Sequence, residues 1–135
     1  MTSIVRYQKA IADGTTYRIA LPLNEEGQHL GTELATLDGV TYVAIPDDHE
    51  LPEQPEQITV EPVTLTDELR AAIKSVSPHV RLINARVIEK IRAVYSVDDE
   101  IKCLRLAPSD ETDAWNAHVE ACRAWGTEEK AALGL

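Results

Sequence analysis

Between Pro46 and Thr66 the chain carries four prolines set among closely spaced aspartates and glutamates, and no other stretch limits the fold as strongly. Proline fixes φ and removes a backbone donor, so this run cannot form a central strand or a helix interior. It reads as an extended acidic linker with the composition of a hinge. The patterns on its two sides differ. On the N-terminal side TTYRIALP alternates, and the β-prone runs ELATL and VTYVAI are joined by Asp38-Gly39. That dipeptide suits a type I′ turn, which needs positive φ at both central positions, so a hairpin is expected there. Tyr7 and its neighbours supply a further short strand. A lone hairpin is marginal in water, so these strands need one another or a covering helix.

The C-terminal side is punctuated for helices. Thr66 can cap DELRAAIKSV, and Ser77-Pro78 offers a cap followed by proline at the first helical position of PHVRLINARVIEKIRAVY. Ser96 opens SVDDEIKCLRL, with Asp99 placed for a near capping box. Pro108-Ser109 opens DETDAWNAHVEACRAW; Gly126 suits its C-terminal stop, and Thr127 can cap a last short turn. The expected fold class is α+β. It has a small N-terminal antiparallel β unit over residues 1–46, a Pro/Glu-rich linker over 47–65, and a C-terminal helical bundle or set of helical hairpins over 66–135.

Composition narrows the function classes. A length of 135 residues makes one domain, or one with a small appendage, the default. Phe is absent and aromatics make up 4%, so the core is expected to be aliphatic. No apolar run approaches the roughly 20 residues of a membrane helix. MTSIVRYQKAIADG lacks the apolar h-region of a secretory signal, so neither membrane nor export is expected. The two cysteines then read as reduced thiols of a cytoplasm. The net charge of −10 repels phosphate backbones, although residues 79–107 run against it with six basic side chains and four acidic ones.

On a helical wheel Trp115, His118, Val119, Cys122 and Trp125 fall within an arc of about 120°, with Asp113, Asn116, Glu120 and Arg123 facing away. A packing stripe is the expected meaning. His118 and Cys122 sit at i and i+4, which would let both ligate one metal, and Cys103 is the remaining thiol of such a metal or redox reading. A structural zinc site needs about four ligands. Cys103 also lies about 120° from the apolar face of its own helix, defined by Val97, Ile101 and Leu104. No metal and no cofactor are therefore expected. In the helix over 78–95, Val80, Ile83, Val87, Ile91 and Val94 form the apolar stripe, with Arg81 and Arg92 on one flank and Arg86 and Lys90 on the other. Asn84, at the stripe's edge, is expected to be hydrogen-bonded and to pin the register. A nucleic-acid reader would more often show a continuous basic stripe with aromatic platforms, so a nucleic-acid-binding regulator built on helix 78–95 is the alternative reading. Asp98 to Glu100 fit the positive end of a helix dipole. There is no GxSxG, no phosphate-cradling glycine loop and no HExxH, so no catalytic residues are assigned and no enzyme is expected. Partner contacts are assigned to Arg86, Lys90, Tyr95 and Trp125 on amphipathicity and exposed ends.

TELATLDGVTYVAIPDD, then LPEQPEQ, then IRAVYSVDDEIKCLR and WNAHVEACRAWG follow one another in an order that resembles small proteins encoded among the tail genes of bacterial phages and prophages. The resemblance runs from about Thr32 to the end. Trp115 and His118 stand where tyrosines are commoner. It implies a tail-region accessory protein, similar to tail-fibre assembly proteins, that is structural or chaperone-like and binds a phage tail or tail-fibre protein. A second copy of the chain is a further candidate partner. The expected place is the cytoplasm of a bacterial host, or the virion. No catalytic residues come with this resemblance.

Overall fold

A computed structural model of the protein describes residues 2–135. Strands β1 (Thr2–Tyr7), β2 (Ala10–Ala12), β3 (Thr15–Tyr17), β4 (Thr32–Leu37), β5 (Val40–Pro46) and β6 (Glu61–Val63) precede helices α1 (Asp67–Val76), α2 (Pro78–Arg92), α3 (Val97–Arg105) and α4 (Asp110–Ala132). The fold is α+β, with antiparallel strands first and helices after them. One sheet has the order β4-β5-β1-β6, and β2-β3 forms a separate pair. Asp38 and Gly39 take φ of 50° and 79°, the double positive φ that the β4–β5 hairpin requires. Asp13 and Gly14 make the same kind of turn, at φ of 50° and 73°, between β2 and β3. Only Thr15–Tyr17 of the alternating TTYRIALP run is a strand. The strand around Tyr7 is instead central, with β5 on one side and β6 on the other.

Both faces of the larger sheet are covered. Ile4, Leu34, Ala35, Tyr42 and Ala44 meet Ile73 of α1, with Leu69, Leu133 and Leu135 packed around them. On the other face Val5, Tyr7, Val43 and Ile45 meet Ile58, with Tyr17, Leu21, Leu51 and Val60 alongside. Two-sided burial explains why β5 reads as a continuous apolar run and not as an alternation. A bulge in β4 sets Glu33 and Ala35 opposite the successive residues Val43 and Tyr42, so Leu34 and Ala35 both reach the α1 face.

Residues 47–65, expected as a linker, are built into this unit. Ile58 is buried, and the Gln54 side chain bonds both the N–H and the C=O of Ala20, at 2.8 Å each, as a neighbouring strand would. Glu61–Val63 pairs with β1 as an edge strand, a position that admits a residue such as Pro62 where a central strand would not. The expected boundaries at 46/47 and 65/66 are therefore not where the chain divides. One compact unit runs to His79 and takes back Ala132–Leu135; the other is Val80–Ala131. Helix α1, expected among the helices of the second unit, belongs to the first because Ile73 sits in the sheet's core.

The caps follow the sequence at Thr66 and Ser96 and depart from it at Ser77, Gly126 and Thr127. Thr66 Oγ1 accepts from the Leu69 N–H at 3.1 Å. Ser96 and Asp99 exchange side chain–backbone bonds of 3.1 and 3.0 Å in a capping box, and these hold the Asp99 carboxyl below its ordinary 3.8. Ser77 differs: its N–H closes α1 on Ile73 O at 2.9 Å, but its buried hydroxyl makes no bond. Pro78 opens α2 without a hydroxyl cap. This helix ends at Arg92, short of Tyr95. Asn84 is exposed, not buried at the stripe's edge, so its amide carries no burial cost and is not required to pin the register. Gly126 does not stop α4, which runs unbroken to Ala132. A Cβ at Gly126 would lie 2.6 Å from Val87 Cγ2, so glycine marks the close approach of α2 and α4. Thr127 Oγ1 donates back to Arg123 O at 3.1 Å instead of capping a new turn.

Candidate protein-binding surface

The helical unit is held by polar anchors as much as by apolar ones. Arg92 of α2 pairs with Glu100 of α3, whose other carboxylate oxygen accepts from Trp115 Nε1 of α4 at 2.9 Å. Thr112 Oγ1 donates to Cys103 O at 2.6 Å, and Cys103 itself points inward, 7% exposed. These contacts fix the roll of α3. They leave Val97, Ile101 and Leu104, the apolar face of the helix, outward at 56%, 45% and 62% exposure, while Cys103, which lies off that face, is buried. Periodicity finds residues that share a face; it does not say which face is covered.

Hydrogen bonds from Arg92 first and Trp115 second hold the Glu100 carboxyl below its ordinary 4.5, with the charges of Arg92 and Arg123 adding and desolvation opposing. A carboxylate whose folded pKa is lowered contributes stability above its unfolded value, and loses it as pH falls through the folded one. Glu100→Gln is accordingly expected to lower the stability of the helical unit at neutral pH and to flatten its decline below about pH 4.5. Helical circular dichroism followed through acid titration of both proteins checks this; parallel acid limbs would refute it.

The α4 stripe is a packing stripe. Cys122 is buried, Trp115, His118, Val119 and Trp125 are half-buried, and Asp113, Asn116, Glu120 and Arg123 are exposed. His118 Nε2 lies 3.1 Å from Lys90 O and 3.5 Å from Cys122 Sγ. A carbonyl only accepts, so that nitrogen carries the proton and donates to Lys90 O. The Val94 N–H, which would otherwise reach Lys90 O, bonds Ile91 O. His118 thus satisfies an end carbonyl of α2 and cannot also take a proton from the Cys122 thiol. Among the described residues no group of three or more His, Cys, Asp or Glu side chains is placed to hold a metal ion.

Three of the four residues assigned to partner contact come together. Arg86, Lys90 and Trp125, with Glu89 and Ala93, line an open depression of about 400 Å³. Lys90 Nζ stands 4.5 Å from the centre of the Trp125 ring, a cation–π contact that holds both side chains in place. Tyr95 lies apart from them. Its ring packs on His118 at 5.5 Å between centroids, and it lines a second depression of about 320 Å³ with Val94, Cys103, Leu106 and Ala114. The basic side chains of α2 do not form one stripe. Arg92 is engaged by Glu100 and Lys90 by Trp125, while Arg81 and Arg86 are exposed. Among the described residues no helix is long and apolar enough to cross a membrane.

The sequence pattern carries no signal for the Arg92–Glu100–Trp115 anchor, because its members come from three helices at unrelated spacings. Comparison of the chain with protein-family models, with curated proteins and with solved structures yields no match.

Proposed function

We propose that this chain is a non-enzymatic protein-binding factor of a phage or prophage tail, either a structural part or a chaperone-like assembly protein. The observation that carries the binding role is the open depression in which Arg86 and Lys90 flank the Trp125 ring. An aromatic and an arginine side by side on a preordered surface are the residue types that dominate binding energy at protein interfaces. The tail assignment rests on the resemblance carried by IRAVYSVDDEIKCLR and WNAHVEACRAWG. A tail or tail-fibre protein is the partner it calls for.

The test is capture by a tagged copy in a host carrying an induced phage, with mass spectrometry of both the captured proteins and the purified particles. Capture of a fibre protein together with absence from finished particles would mean an assembly chaperone. Presence in the particles would mean a structural part. If neither a fibre protein is captured nor the chain is found in the particles, the tail reading is overturned. Arg86→Ala with Lys90→Ala is expected to weaken capture about tenfold or more; unchanged capture would move the contact elsewhere on the chain.

A further inference from the structure

The strongest unexplained feature of the molecule is the outward face of α3. A nine-residue helix bound to its neighbours through Cys103 and Glu100 turns Val97, Ile101 and Leu104 to solvent as one continuous strip. Its polar residues are ordered along the axis. Asp98, Asp99 and Glu100 occupy the first turn, and Lys102 and Arg105 the last. At about 100° per residue, Asp98 and Arg105 fall on the same flank of the strip, roughly 20° apart, with Lys102 beside them. Among the described residues none of these three makes an ion pair within the chain.

We propose that this face binds a second copy of the same chain, with the two α3 helices antiparallel across a two-fold axis passing near Ile101. In such a pair each strip covers the other, and equal flanks come to the same side. Asp98 of one protomer then faces Arg105 of its partner, twice over, and the acidic turn of each helix meets the basic turn of the other. An acidic or a basic partner would match only one end of α3. A reversed copy of α3 matches both, because its own charge order is its complement. The helix dipoles also oppose favourably in that orientation.

Sedimentation of the full chain across the micromolar range tests this, with circular dichroism confirming that each variant keeps its helices. The wild-type chain is expected to pass from 14.9 kDa to twice that mass as concentration rises. Leu104→Glu, at an exposed position, is expected to abolish the heavier species. Asp98→Arg or Arg105→Asp alone places like charges opposite each other at two points and is expected to weaken self-association about tenfold or more. The double reversal restores opposite charges and is expected to recover it. Should the reversals disturb the helix itself, Ile101→Cys gives a second route. Oxidation is expected to link two copies through this residue, which sits next to the two-fold axis, but not through Val97→Cys at the far end of the strip. A monomer at every concentration would leave the face to a different protein and overturn the proposal. So would self-association that survives Leu104→Glu, or a double reversal no better than either single one.

Discussion

Replacing Ile73 by alanine is expected to destabilise the sheet-bearing unit by about 2–5 kcal/mol, because a fully buried branched side chain is removed from a packed site. Ile73 is 0% exposed and is the residue through which α1 joins the cluster of Ile4, Leu34, Ala35, Tyr42 and Ala44. Collapse around the cavity is restricted on the sheet side, since Leu34 is fixed there by the β4 bulge and Ile4 by pairing on both edges of β1. The chain comprises two compact units, so a single melting curve is the wrong readout. Residue-resolved hydrogen exchange is the appropriate one, with accelerated exchange expected at the amides of β1 and β5. Protection lost in α2 to α4 while the sheet stays protected would return α1 to the helical unit.

Gly126→Ala is expected to destabilise the helical unit by about 1–3 kcal/mol, although alanine is the better helix former. In an exposed helix the change would stabilise by about 1 kcal/mol. Here the new methyl would lie 2.6 Å from Val87 Cγ2, and a β-branched side chain on a helix has no free rotamer into which to retreat. α2 and α4 would have to separate, loosening the neighbouring contact at Ile83. The two positions are therefore coupled: in a Val87→Ala background the cost of Gly126→Ala is expected to fall sharply. Denaturant unfolding of the four proteins in the cycle measures this. Additive costs, or a gain from Gly126→Ala, would mean that the two helices do not touch at this point.

Both predictions fall where the sequence misleads, and for related reasons. Local chemistry was legible where one residue decides the outcome. Asp38-Gly39 needs positive φ, Thr66 and Ser96 need a free N–H in the next turn, and all three behave as their side chains dictate. The α4 stripe was legible too, since its spacing and its burial agree. What could not be read was which neighbour each element would meet. Gly126 looks like a stop signal until Val87 is brought against it. The run from Pro46 to Thr66 looks like a tether, because composition reports its prolines but not that Ile58 and Gln54 are taken up by the sheet's second face. On α3 the apolar strip is real, yet the anchors that roll it outward come from Arg92, Thr112 and Trp115, remote in sequence. Of the assigned contact residues, Arg86, Lys90 and Trp125 meet because two amphipathic helices pack with those flanks adjacent. Tyr95 does not join them, because α2 ends at Arg92 and the Tyr95 ring packs on His118 instead.

The return of Ala132–Leu135 to the first unit has a consequence for how the molecule is made. Thr2 Oγ1 bonds Ala132 O at 3.1 Å across 130 positions of chain, and Leu133 and Leu135 cover the face that contains Ile4. Ala132 closes the last helix, and Leu133 and Leu135 come after every strand and helix in chain order. A ribosome adding roughly 5–20 residues per second therefore leaves the flank of β1 without its final cover for on the order of ten seconds after that strand emerges. During synthesis the half-dressed sheet is open to whatever apolar segment reaches it first.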